Sequence, residues 1–232
     1  MDYKGVFFDF YGTLLIYHDT PAAWTDWLTA CYENLQQGGL SISREEFAQH
    51  FDGLFSQPEP PGDNGDLTVY ERRIKSMVTA LLPEVKDRDI QRAATASASA
   101  WQKHITLDPE TIPVLGLLKR SKTLALISNF DHPPHIHSLL DDLNLTDYFA
   151  TVLISGETGH KKPHPYMFLQ ALEQTGLAPP EVIYVGDTGD DIQGARAAGI
   201  RPILIQRDGD DQSQMNADFK YRQPPEPHND DG

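Results

Sequence analysis

The chain of 232 residues has one cysteine, Cys31. An intrachain disulfide is therefore excluded, and nothing in the sequence demands an oxidising compartment. With no cysteine partner, Cys31 is expected to be a small buried apolar residue rather than a reactive thiol. Long hydrophobic runs are also missing. No stretch approaches the ~20 apolar residues that a membrane helix needs. The start of the chain runs straight into Val6-Phe7-Phe8, without a basic segment leading a long apolar run, so no signal peptide is read. These absences predict a cytoplasmic protein without a membrane partner. Positive charge is scarce as well: 19 Lys and Arg stand against 34 Asp and Glu, a formal net charge of -15. Such a surface repels nucleic acid, which is excluded as a partner. It also repels a small anionic substrate, so any site for one must be locally cationic.

What remains is ordinary for a globular chain: 39% hydrophobic and 23% charged residues. Four short apolar runs end in polar or acidic residues. Gly5-Val6-Phe7-Phe8 ends at Asp9, and Leu124-Ala125-Leu126-Ile127 ends at Ser128-Asn129. Thr151-Val152-Leu153-Ile154 ends at Ser155-Gly156, and Val182-Ile183-Tyr184-Val185 ends at Gly186-Asp187. Such runs suit strands buried on both faces of a parallel sheet. Helical spacing lies between them, at Thr111 to Arg120, Tyr166 to Thr175 and Asp191 to Ala198. Strand–helix alternation predicts an α/β fold with a doubly wound, Rossmann-like parallel sheet over 1–16 and 106–207. In such sheets the site lies at the carboxyl ends of the strands.

The segment 17–105 has no convincing strand. Trp24, Trp27, Leu28 and Cys31 recur at helical spacing, as do Phe47, Phe51, Leu54 and Phe55. A small all-helical inserted domain is expected there. The polar stretch 208–232 is expected to be disordered.

Candidate chemistry collects at the strand ends. Asp9 precedes Phe10-Tyr11-Gly12-Thr13, a glycine turn that leaves its carboxylate free to attack or to bind a metal. Gly186-Asp187-Thr188-Gly189-Asp190-Asp191 supplies three carboxylates at a helix start. Capping explains Asp190 or Asp191 but not Asp187. Oxygen ligands without His or Cys suit Mg²⁺. Lys161-Lys162-Pro163 offers a cation, and Ser128 and Asn129 offer donors for an anion. His132, His135 and His137 lack the spacing of a helical metal pair, and a solvent-exposed loop and helix start is expected instead.

The four pieces, in this order, resemble the haloacid dehalogenase-like superfamily, specifically members with a helical cap inserted after the first motif. The resemblance spans Val6 to about Gln206. It implies that Asp9 is the nucleophile of an aspartyl intermediate and a Mg²⁺ ligand, with Tyr11 lending its main-chain carbonyl. It implies Asp187 and Asp191 as further metal ligands, and Thr13, Ser128 and Asn129 as substrate contacts. Lys162 would neutralise charge on Asp9 and substrate. Phosphatases of this family carry a second Asp two residues after the nucleophile; here that residue is Tyr11. A phenol with pKa near ~10 donates a proton but is a poor base at neutral pH. Asp-x-Tyr-Gly-Thr is the dehalogenase pattern, whereas Asp187 and Asp191 look kept for metal. The expectation is a Mg²⁺-dependent phosphatase of small phosphorylated metabolites such as phosphoglycolate or sugar phosphates. The alternatives are a 2-haloacid dehalogenase, or a slow or non-catalytic binding protein that retains the site.

Overall fold

The computed structural model describes residues 3–62, 66–206 and 219–222. In chain order the elements are β1 (Gly5–Phe8), β2 (Leu15–Tyr17), α1 (Thr20–Gln37), α2 (Arg44–Phe51), α3 (Val69–Val78), α4 (Asp87–Gln102) and β3 (Ile105–Leu107). There follow α5 (Thr111–Leu118), β4 (Thr123–Ser128), α6 (Pro133–Asp142), β5 (Thr151–Ile154), α7 (Ser155–Thr158) and α8 (Tyr166–Thr175). The chain closes with β6 (Val182–Gly186), α9 (Gly189–Ala197), β7 (Arg201–Gln206) and β8 (Phe219–Arg222).

It divides into two compact units. One comprises Met1–Leu15, Asp108–Asn129 and Asp147–Gly232, and the other Ile16–Leu107 with Phe130–Thr146. The first is the α/β unit. Its six strands run in the order β5-β4-β1-β6-β7-β8, and every neighbouring pair is parallel. The expected α/β class with a Rossmann-like parallel sheet is what the structure has. The central strand β1 is buried along its whole length, between β4 and β6. Phe7 and Tyr184 point to one face, where α8 and α9 cover them with Met167, Phe168, Ala171 and Ala195.

Two strands of this sheet were not anticipated. β7 carries Pro202, which lacks a backbone donor and weakens a strand reading. β8 lies in the stretch expected to be disordered and pairs with β7, Ile203 opposite Phe219. The rest of that stretch, 207–218 and 223–232, lies outside the described residues.

The second unit packs α1 to α4 around Trp27, Cys31, Phe47, Phe51 and Ile74, all nearly inaccessible. Cys31 is buried here as the composition suggested. The helical insertion also contains strand: β2 and β3 form a two-stranded ribbon. Three residues per strand are too few to show a period of two in the sequence. The stretch 130–146, which the sequence reading placed with the α/β core, belongs to this unit and supplies α6. His132 corrects the expectation of a solvent-exposed loop. It is buried, its ring lies 5.2 Å from that of Tyr70, and its Nδ1 pairs with the Thr68 hydroxyl at 3.1 Å. Arg73 is buried too. It donates to Asp131 at 2.9 Å and to the Gln57 carbonyl at 2.7 Å.

Candidate active site

Within the α/β unit, the carboxyl ends of β1, β4 and β6 carry Asp9, Ser128 and Asp187, and the loop between α7 and α8 brings Lys162 to Asp9. Asp9 follows β1 directly. Its amide donates to the Val185 carbonyl at 2.9 Å, so the neighbouring strand fixes the backbone at the point where the carboxylate begins. The chain then turns through Gly12, whose φ is +84°. A Cβ there would stand 2.1 Å from Asp187 Oδ2. Only glycine fits, both in conformation and in space.

Lys162 is buried and its Nζ is surrounded by oxygen. It donates to Asp9 Oδ1 at 2.5 Å, to Asp191 Oδ1 at 2.7 Å and to the Ile127 carbonyl at 3.1 Å. The Tyr184 hydroxyl lies 3.2 Å away and itself donates to Asp191 Oδ1 at 2.8 Å. The backbone of Lys162 is gripped as well. Its N–H donates to Asn129 Oδ1 at 2.8 Å, and its carbonyl accepts from Asn129 Nδ2 at 3.1 Å. Asn129, expected beside a substrate, thus spends its amide on the lysine loop. Thr13, expected likewise, turns its hydroxyl to the carboxylates, 3.2 Å from Asp9 Oδ2 and 3.5 Å from Asp187 Oδ1. Ser128 ends β4 and is buried.

Asp191 sits in the first turn of α9. Its Oδ2 accepts from the Thr188 amide at 3.0 Å and the Thr188 hydroxyl at 2.6 Å, which closes a capping box at the helix start. Both Asp191 oxygens are therefore occupied. Gly186 makes room: a Cβ on it would stand 2.5 Å from the Asp191 carboxyl carbon.

The charges do not balance. Asp9, Asp187 and Asp191 offer oxygens within 4.8 Å of one another, and among the described residues Lys162 is the one ammonium bonded to them. Burial, opposed by Lys162 and reinforced by Asp191, raises Asp9 to about 6. Burial, then repulsion from Asp9 and Asp191, raises Asp187 to about 7. Burial also acts on Asp191, but the Lys162 charge and its hydrogen bonds hold that carboxyl below its ordinary range. Burial would lower Lys162, yet the attraction of Asp9 and Asp191 outweighs it and raises the ammonium to about 12. With all three ionised, the carboxylates against one ammonium leave two negative charges, and the donors are all hard oxygens. That set fits a divalent cation such as Mg²⁺. Asp9 and Asp187 retain acceptor capacity for one; Asp191 does not.

One participant was missed in the sequence. Tyr184 reads as one more apolar strand residue, since alternation says nothing about a phenol turned to a buried lysine. Thr188 was legible, because Thr-x-x-Asp at the mouth of a helix is a capping signature.

The haloacid dehalogenase-like hydrolase profile matches residues 3–199. The chain is 28% identical over 217 residues to the phosphoglycolate phosphatase of Escherichia coli (strain K12), covering 85% of this chain and 79% of that one. In structure it resembles a HAD phosphatase from Thermococcus onnurineus, with a TM-score of 0.66 and 23% identity over 94% of this chain and 92% of that chain. It also resembles a 2-haloacid dehalogenase from Pseudomonas syringae pv. Tomato DC3000, with a TM-score of 0.64 and 25% identity over 94% of each chain. The chain belongs to the haloacid dehalogenase-like hydrolase family.

Proposed function

We propose that the protein is a Mg²⁺-dependent phosphatase of small phosphorylated metabolites, of the phosphoglycolate or sugar-phosphate kind, and that Asp9 is its nucleophile. The observation that carries this reading is the double negative charge left by Asp9, Asp187 and Asp191 against Lys162. Halide displacement has no use for such a site, whereas a dication does. Similarity to the Escherichia coli phosphoglycolate phosphatase supports the same choice.

Asp9, Asp187 and the Tyr11 carbonyl would hold the ion. When bound, it would offset the charge of the phosphoryl group and of the carboxylates that meet it. The Asp9 carboxylate attacks phosphorus and the ester P–O bond breaks. The Tyr11 phenol gives its proton to the departing oxygen. Water then attacks the aspartyl phosphate, phosphate leaves, and the water proton returns to Tyr11. Lys162, held by Asp191 and Tyr184, keeps Asp9 ionised and neutralises phosphoryl charge. Asp191 is thereby a positioning residue rather than a direct metal ligand. Ser128 faces the phosphoryl oxygens, while Asn129 sets the lysine loop.

A second reading has its own observation. Tyr11 stands where phosphatases of the family keep an Asp, and a halide leaves without a proton, so 2-haloacid dehalogenation needs no acid there. The test is a panel of phosphate esters with Mg²⁺, with and without chelator, beside L-2-chloropropionate. Chelator-sensitive phosphate release is expected. Chloride release that ignores chelator would replace the first reading by the second.

A further inference from the structure

In the α/β unit one helix is apolar on every side. Thr111 is the only polar residue of α5, and only Thr111 and Leu115 of its eight residues are buried. Leu117 is 65% exposed, Val114 42% and Ile112 39%. A helix that is hydrophobic all round belongs in an interior. Beside it runs a groove of about 360 Å³, floored by Phe8, Ile183, Val185, Ile203 and Ile205 and walled by Val114 and Leu118. The opposite face of the sheet is covered by α8 and α9. Parallel sheets are normally covered on both faces, so among the described residues this face lacks a layer.

The chain has little to spare for it. Between 207 and 218 the only large apolar residue is Met215, and 223–232 consists of Gln, Pro, Glu, His, Asn, Asp and Gly. The charges at the two ends of α5 point to the occupant. Exposed Glu110 precedes the helix, and exposed Arg120 follows it, next to Lys119. In a chain of net charge -15, a basic end opposite an acidic end on one apolar helix is a self-complementary pattern. Two such helices laid antiparallel about a two-fold axis near Leu115 would bring Glu110 of each to Arg120 of the other. Leu117 would then pack on Pro113 and Val114 of the second copy. A C2 interface requires this reciprocity.

We propose that the α5 face is the homodimer interface, with α5 paired antiparallel to α5 of a second copy and the groove covered by it. The full chain is examined by sedimentation equilibrium over a concentration series, with melting curves to verify folding. The wild type is expected to dimerise. Leu117→Arg, at an exposed position that leaves the fold intact, is expected to weaken association by about tenfold or more. Glu110→Lys and Arg120→Glu should each weaken it a few-fold, and the double reversal should restore it, because like charges then become opposite again across the two-fold axis. A wild type that stays monomeric would overturn the proposal, and so would one that instead binds a different protein through this face. A dimer indifferent to Leu117→Arg, or a double reversal that fails to restore association, would do the same.

Discussion

Asp9 and Tyr11 are two residues apart and carry opposite messages. Asp9 lies against Lys162 at 2.5 Å and Thr13 at 3.2 Å, which holds a carboxylate ready rather than merely tolerated. Replacing it by Asn leaves the shape and removes the nucleophile, and Asp9→Asn should lower kcat by about 10³-fold or more. Steady-state phosphate release measures this, and retained turnover would remove Asp9 from the mechanism. Under the proposed mechanism, Tyr11 would set the rate of the proton steps. A phenol near ~10 is a weak base at neutral pH, and a well-matched acid/base contributes typically ~10²–10⁴-fold. Tyr11→Asp is therefore expected to raise phosphatase kcat, by about tenfold or more. An unchanged rate would show that another group already moves the proton. At this scale the sequence was informative about identity and less so about use. Asp9, Lys162 and Asp187 meet as their motifs suggested, because Asp9 and Asp187 each follow a strand whose end is fixed by the sheet and the loop between α7 and α8 brings Lys162 to Asp9. Asn129 and Asp191 are present as expected but are spent on holding Lys162. Hydrogen-bond partners that are far apart in the chain leave no mark on local pattern.

Among elements, the turn after β6 is the most constrained. Gly186 lets the Asp191 carboxylate approach the strand end, and any Cβ there would meet it at 2.5 to 2.7 Å. The carboxylate cannot retreat, since Lys162, Tyr184 and Thr188 all hold it. Gly186→Ala should cost about 1–3 kcal/mol of stability, read as a lower midpoint in urea, together with a loss of activity from a displaced Lys162. A variant as stable and active as the parent would mean that the turn is softer than its packing indicates. The long helices were legible in outline, and β5 and α8 match residue for residue, because apolar spacing and flanking turns agree there. β2 and β3 were not, being too short for any period, and β7 was obscured by Pro202. β8 was hidden in polar surroundings, where pairing with a neighbour rather than composition makes the strand.

For the whole molecule, the scarcity of cations and the burial of a few titratable groups set the response to pH. Burial lowers His132 and His135 from 6.5 to about 4, with His132 adding to the effect on His135. Groups facing them in the helical unit include Glu71, 4.0 Å from His132, and Gln102, 3.3 Å from His135. Both imidazoles stay neutral in the folded chain while the unfolded chain takes up protons below about 6.5. Their contribution to stability is therefore complete above about 6.5 and is lost as pH falls toward about 4. Asp9 and Asp187, raised to about 6 and about 7, act in the opposite sense over much of that window. The test is therefore a difference: between about 6.5 and about 4 the melting temperature of His132→Gln should fall less, or rise more, than that of the parent. An equally steep slope in that variant would assign the dependence to other groups. The histidine stretch was legible as a helix start, but its burial depends on α3 and Tyr70, remote in sequence.

The central claim is that Asp9 takes a phosphoryl group. Rapid acid quenching during turnover of p-nitrophenyl phosphate with Mg²⁺, followed by peptide mass spectrometry, tests it directly. A phosphoryl adduct on the peptide that carries Asp9 is the predicted result, absent with chelator and absent in Asp9→Asn. An unmodified Asp9 peptide in phosphate turnover, with an ester adduct formed instead from L-2-chloropropionate and indifferent to chelator, would contradict it.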